Sequence, residues 1–239
     1  MRIPLVYSVR NLFTRKLTAS LTILGVALVV FVFAAVLMLA YGVEKTLVAT
    51  GSDDNVIMLR KGSDTELMSG IDRDLMNTIR ALSAIASGQD GKPLASSEVV
   101  TIINLQKITT NDMGNITVRG VSPEAFVLRP VVRLTSGRMF AQGARELIAG
   151  ANISKRFQGG QIGQTIKFSG DTWTIVGLFD ANGTGFDSEV WGDADQLMGA
   201  LNRRGAFSSV TIRLKDNNEF AALQKAMEAD NRLQTIKVE

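Results

Sequence analysis

Five carboxylates crowd a glycine-punctuated stretch of the chain: Asp180, Asp187, Glu189, Asp193 and Asp195, with Gly183, Gly185 and Gly192 between them. Hard cations such as Ca²⁺ take several oxygen ligands, so a metal loop is one chemistry this composition allows. The spacing does not follow the EF-hand pattern, and a solvated loop ending in a helix cap at Asp193 is the simpler reading. A carboxylate pair for glycoside hydrolysis can also be drawn from these residues, but that chemistry is defined by the distance between the groups, which sequence does not set. Gly159, Gly160 and Gly163 lack the Lys-Ser/Thr that completes a phosphate-binding loop, and they read as turn residues before a strand. No catalytic, cofactor-binding or metal-binding residue is therefore assigned.

The residue types that are missing narrow the chemistry further. The chain has no cysteine and no histidine. That excludes a disulfide framework, a thiolate zinc site, a cysteine nucleophile and a histidine-based triad within it. Carboxylate or lysine catalysis stays open, and a membrane-anchored hydrolase is the weakest of three functional readings.

Charge is unevenly placed. The 239 residues carry 26 Lys and Arg against 23 Asp and Glu, but Arg2, Arg10, Arg15 and Lys16 stand in a first stretch of sixteen residues without an acid. The remainder is within about one charge of neutrality, so it offers no general basic face for phosphates, and no nucleic-acid partner is expected.

Behind that cluster, residues 17–43 contain no charge. As a helix they span about 40 Å at 1.5 Å per residue, enough for the roughly 30 Å hydrocarbon core. Tyr41 stands where an interfacial aromatic belongs. A buried helix of a soluble protein would show a polar face, and none exists between Ile23 and Ala40. The run is also long for a secretory signal, and the Tyr41-Gly42-Val43-Glu44-Lys45 flank is not a small-x-small cleavage site. The expectation is a retained transmembrane helix at 17–43, with Arg2, Arg10, Arg15 and Lys16 holding the N-terminus in the cytoplasm and everything after about 43 outside it. Within 1–16, Leu5, Val9, Leu12 and Phe13 recur on one helical stripe. They predict an amphipathic cytoplasmic segment against membrane lipid, with a frayed basic tail as the alternative.

The rest alternates in α+β fashion. Strands are expected at 55–59, 98–108, 208–214 and 235–238, and helices at 72–85, capped by Asp72, and 218–229. Two strand–helix–strand units with a glycine-rich region between them suggest a split βαβ, ferredoxin-like domain of 44–110 and 206–239. The inserted, mostly-β subdomain is placed at 111–205. Its strands are expected at 116–120, 146–149, 165–168 and 172–179, with short helices at 152–157 and 193–201. Gly170-Asp171 is read as a hairpin turn. Trp173 is assigned to the core of this insertion. For Trp191 core packing is preferred, with a partner-facing role as the alternative.

The order of these pieces resembles the MacB/FtsX-like ABC transporter permease family. The resemblance rests on Ser8-Val9-Arg10-Asn11-Leu12 before one membrane helix and on residues 51–56 leading into the first outer strand. Further along, Val118-Arg119-Gly120-Val121, Ser136-Gly137-Arg138-Met139-Phe140, Arg145-Glu146-Leu147-Ile148-Ala149-Gly150, Ile162-Gly163 and Trp173-Thr174-Ile175-Val176-Gly177 follow in the family's order. It implies a porter-type periplasmic domain in the bacterial inner membrane. It also implies a separate ABC ATPase subunit, a second permease copy and an adaptor protein in the periplasm. The family has four membrane helices, three of them after the outer domain, and this chain reaches Glu239 without a second apolar run. It therefore resembles the N-terminal portion of a non-enzymatic permease that couples ATP-driven motion to export or to a periplasmic partner. The alternative is a single-pass anchored binding or scaffold protein complete at residue 239.

Overall fold

The computed structural model describes residues 16–50, 54–203, 205–229 and 232–237. The expected amphipathic segment, with Arg2, Arg10 and Arg15, lies outside them. The chain divides into two units, Met1–Thr46 and Leu47–Glu239. Helix α1 (Lys16–Thr50), most of which lies in the first, contains the uncharged run. Its stretch Lys16–Val43 is long and apolar enough to cross a membrane, and none of it is buried against protein. The helix continues beyond 43 because Glu44 and Lys45 are good helix formers and no glycine or proline interrupts before Gly51.

The second unit is built on β1 (Asn55–Arg60), α2 (Arg73–Arg80), β2 (Ala95–Gln106), β9 (Ser209–Arg213), α6 (Phe220–Ala229) and β10 (Leu233–Lys237). The spatial order is β10-β1-β9-β2, all antiparallel, with Ile57 opposite both Thr211 and Ile236. This is the 4-1-3-2 order of a ferredoxin-like βαββαβ unit, with strands roughly 150 residues apart in sequence paired directly. Helix α2 is shorter than 72–85. Asp72 caps it by accepting the Leu75 N–H at 2.8 Å, but the chain after Ala81 turns to bond β9, with Ala86 N donating to Arg213 O and Lys215 N to Ala84 O. Tertiary pairing there outcompetes continued helix.

Between β2 and β9 run β3 (Met113–Val121), α3 (Ala125–Leu128), β4 (Arg133–Gly137), β5 (Glu146–Gly150), α4 (Ala151–Arg156), β6 (Thr165–Phe168), β7 (Asp171–Asp180), β8 (Glu189–Asp193) and α5 (Ala194–Ala200). Strand β2 joins the two ladders: residues 95–98 pair β9, and residues 99–106 pair β3. The path continues β3-β8-β5-β7-β4, with β3–β8 and β5–β7 parallel and β6 on β7. The β6–β7 hairpin turns at Ser169-Gly170, both with positive φ, and Asp171 already pairs Phe168. The turn thus sits one residue before the expected Gly170-Asp171, because a two-residue type I′ turn needs left-handed backbone at both positions.

Alternate residues along each strand face opposite sides of the sheet. Val56, Met58, Val118, Leu147, Val190, Trp173, Val210 and Ile212 join one large cluster that spans both ladders and is covered by α2, α5 and α6. Val121, Ile148, Phe179, Phe186 and Trp191 form a second cluster on the other face. Trp173 and Trp191 are both fully buried.

Candidate functional site

On that second face, near the ladder junction, strand alternation brings polar residues inward. Glu98 (β2), Arg119 (β3), Glu189 (β8) and Thr211 (β9) stand there, joined by Arg129, which follows α3, and Glu66, from the loop after β1. The Arg119 guanidinium grips Glu189 side-on, with Nε to Oε2 at 2.9 Å and Nη2 to Oε1 at 3.1 Å. Its Nη1 donates to Glu66 Oε1 at 3.0 Å and to Glu98 Oε2 at 2.8 Å. Arg129 donates from Nη1 to Glu98 Oε1 at 2.5 Å and from Nη2 to Thr211 Oγ1 at 2.9 Å.

Aromatic rings close the network. The Arg129 guanidinium lies 5.3 Å from the Phe186 ring centre and 5.8 Å from that of Trp191, while Trp191 Nε1 donates to Glu189 Oε2 at 2.7 Å. Phe186 is carried on the 3-10 turn Gly185–Ser188, which packs against Gly150 so closely that a Cβ there would meet Asp187 O at 2.4 Å. A cleft of about 370 Å³ opens beside the network, lined also by Asn55, Ile57, Asn115 and Thr117.

Burial is the largest influence on Glu98 and would raise its pKa. The charges of Arg129 and then Arg119, with their hydrogen bonds, outweigh it, so the carboxyl is held below the usual range. Burial likewise works against the Arg119 charge, and Glu189, Glu66 and Glu98 together raise its pKa. At the surface, hydrogen bonds from Arg138 and from the Ala141 N–H bring Glu146 to about 2. A carboxyl depressed in the folded state contributes stability above its unfolded pKa, about 4.3, and loses it as pH falls through the folded value. The urea midpoint is therefore expected to hold between pH 7 and 5 and to fall below about 4.3. Glu98→Gln should flatten part of that acid limb while lowering the midpoint at pH 7. Parallel acid limbs in the two proteins would show that Glu98 is not an acid-sensitive contact.

The acidic stretch does not converge. Asp180 accepts the Asn182 N–H, Asp187 those of Ala181 and Gly183, and Asp193 those of Gly143 and Asp195. Asp195 pairs with Arg73, and Glu189 belongs to the buried network. The expected solvated loop is corrected at 189–193, which form a wholly buried strand between β3 and β5. Glu189 tolerates that position because Arg119 meets its charge. Among the topology residues, Lys16 opens α1 and Tyr41 lies exposed near the end of its apolar stretch. Sequence reasoning did not single out Glu66, Glu98, Arg119 or Arg129 as a site. The available signal was a charge at inward positions of otherwise apolar strands, at Glu98 and within Val118-Arg119-Gly120-Val121.

A ferredoxin-like sheet extended by a second ladder, in a chain whose N-terminal helix is apolar enough to cross a membrane, defines a membrane-anchored α+β protein. The chain belongs to the MacB-like periplasmic core domain family, whose model matches residues 19–230. Three solved structures share the fold. The extracellular domain of the noncanonic ABC-type transporter YknZ from Gram-positive bacteria superposes with a TM-score of 0.56 at 13% identity, covering 76% of this chain and 99% of that one. The periplasmic region of MacB from Actinobacillus actinomycetemcomitans gives 0.56 at 11% identity, covering 80% and 91%. A domain of a putative permease protein from Porphyromonas gingivalis gives 0.50 at 13% identity, covering 78% and 93%. No curated protein sequence is similar enough to match.

Proposed function

We propose that this chain is the N-terminal membrane helix and periplasmic domain of an ABC transporter permease subunit. In this reading it couples the motion of a separate ATPase to export or to a periplasmic partner. The observation that carries the reading is the single family match running through both the apolar helix and the outer domain. The basic cluster Arg2, Arg10, Arg15 and Lys16 supports a cytoplasmic N-terminus in the inner membrane. After the membrane stretch we assign residues 44–110 with 206–239 to a porter-like part and 111–205 to a second part, with β2 serving both. A second permease copy and a periplasmic adaptor complete the proposed assembly.

The cysteine-free chain makes the test direct. Tagged protein taken from its native membrane in mild detergent is expected to bring down an ATP-hydrolysing subunit. A Gln89→Cys variant, in an exposed loop, is expected to react with a membrane-impermeant maleimide in intact spheroplasts. A preparation free of ATPase would overturn the permease reading in favour of an anchored binding module. Labelling only after lysis would overturn the orientation.

A further inference from the structure

Strand β2 is paired with β9 only at residues 95–98, and its later part, 99–106, is paired with β3 on the opposite side. Backbone groups of an antiparallel strand point alternately to its two sides. Lys107 N bonds Asp112 O across the β3 hairpin, so odd-numbered residues of β2 face β3. Even-numbered ones face the other way: Val100 N donates to Ser208 Oγ, Gln106 O accepts from Gln158 N, and Ile108 N donates to Arg156 O. Ile102 and Asn104 aim their N–H and C=O groups in that direction too, and among the described residues nothing meets them there.

The open edge is a slot with two closed ends. Ser208 stops it at Val100, and residues 156–158 stop it at Gln106. The stretch between, Thr101–Leu105, takes about five residues of an added strand, roughly 16 Å. It carries no charge and no proline, the devices that usually blunt an exposed edge. Ile102 is 46% exposed on one face, while Ile103 and Leu105 lean on the large core cluster from the other.

Arg203, after α5, stands at the Val100 end. It is half-buried, and its Nη1 donates at 2.6 Å to Ser208 Oγ, the hydroxyl that accepts the Val100 N–H. No carboxylate pairs with it among the described residues, and its other N–H groups are not shielded from solvent. Burial without an opposing acid lowers its pKa. A strand added antiparallel to β2 reaches Arg203 with its C-terminal end, and Ser208 leaves it no room to continue. A parallel strand would instead bring an N-terminal ammonium to the guanidinium. A chain that must stop beside an unpaired guanidinium is complementary to it when it ends in a free carboxylate.

We propose that this edge of β2 binds the free C-terminal end of an extended partner polypeptide, added antiparallel along Thr101–Leu105 with its terminal carboxylate on Arg203. The last and third-last side chains of the partner then lie on the face of Ile103 and Leu105, where apolar groups are favoured. The reading does not depend on coupling to an ATPase.

The test uses the full chain in detergent micelles and a library of randomised hexapeptides, tethered through their N-termini and bearing free carboxylates. A subset rich in apolar last and third-last residues is expected to retain the protein. Retained sequences are resynthesised with an N-terminal fluorophore and titrated by fluorescence anisotropy. Amidation of their C-termini should weaken binding at least about tenfold, the factor carried by one lost charge-assisted contact, and Arg203→Gln should do the same. Asn104→Pro deletes an N–H that β3 does not use, at an edge position where proline is tolerated. It should also cost about tenfold or more while the melting temperature stays close to the parent's. Should Asn104→Pro fail to fold, amidation and Arg203→Gln decide. A library that retains nothing, or binding indifferent to amidation, to Arg203→Gln or to a folded Asn104→Pro protein, would overturn the assignment.

Discussion

Replacing Arg119 with methionine is expected to lower the unfolding free energy by about 3–5 kcal/mol, because it removes one side of a buried charge network and leaves the other side in place. Methionine fills much of the arginine stem's volume, so the loss reports charge more than cavity. Glu98 would keep Arg129, but among the described residues Glu189 would be left with only the Trp191 indole N–H as a side-chain donor, and Glu66 with Ser209 Oγ at 2.6 Å. For a unit of this size each kcal/mol moves the melting temperature by roughly 2–4 °C, so a fall of about 6–20 °C is expected in a thermal melt. Arg119→Lys should recover little, since an ammonium cannot reproduce the side-on grip on Glu189 together with the contacts to Glu66 and Glu98. Adding Glu189→Gln to Arg119→Met should return part of the loss. An Arg119→Met protein within about 1 kcal/mol of the parent would mean that the network is not formed in solution.

Trp191→Ala is the second large effect, expected to cost about 3–5 kcal/mol by emptying the centre of the smaller cluster. The indole stands 5.4–5.7 Å from the rings of Phe126, Phe179 and Phe186 and is fully buried. Trp191→Phe separates two contributions, because it keeps an aromatic body and deletes only the N–H donated to Glu189. That variant should lose about 1–3 kcal/mol, the cost of leaving one buried acceptor without its donor. Urea denaturation of both variants reads the difference. Equal losses would assign the role of Trp191 to the hydrogen bond and not to packing.

The ferredoxin-like half was legible because its signals are local and periodic. Asp72 before the stripe Leu75–Ile79 marks a helix start, and the Val/Ile alternation of β1, β2 and β9 marks half-buried strands. The family order of short motifs was legible for the same reason. Strand β8 was not. Glu-Val-Trp-Gly-Asp looks like the end of an acidic loop, and only the distant Arg119 makes its first residue acceptable inside the sheet. Ser209 and Thr211 carry no sequence signal for the network either, since a polar alternation normally faces water and here faces Glu66 and Arg129. The buried network was hidden because its members come from five separated segments, and no spacing rule links Glu66 to Glu98, Arg119, Arg129 and Glu189.

Strand β2, shared by both ladders, has a mechanical consequence. In antiparallel ladders the hydrogen bonds run perpendicular to the strands. A load applied along β2 therefore pulls every pair it makes with β9 and β3 sideways at once, and yielding requires many bonds to rupture together. A load applied across the strands, at the end of the outer edge strand β10, instead opens its pairs with β1 one after another, as a zip does. The same sheet is stiff along one axis and soft along another. Force directed along β2 is thus shared between its pairs with β3 and its pairs with β9, and this joins the two ladders along the strand direction.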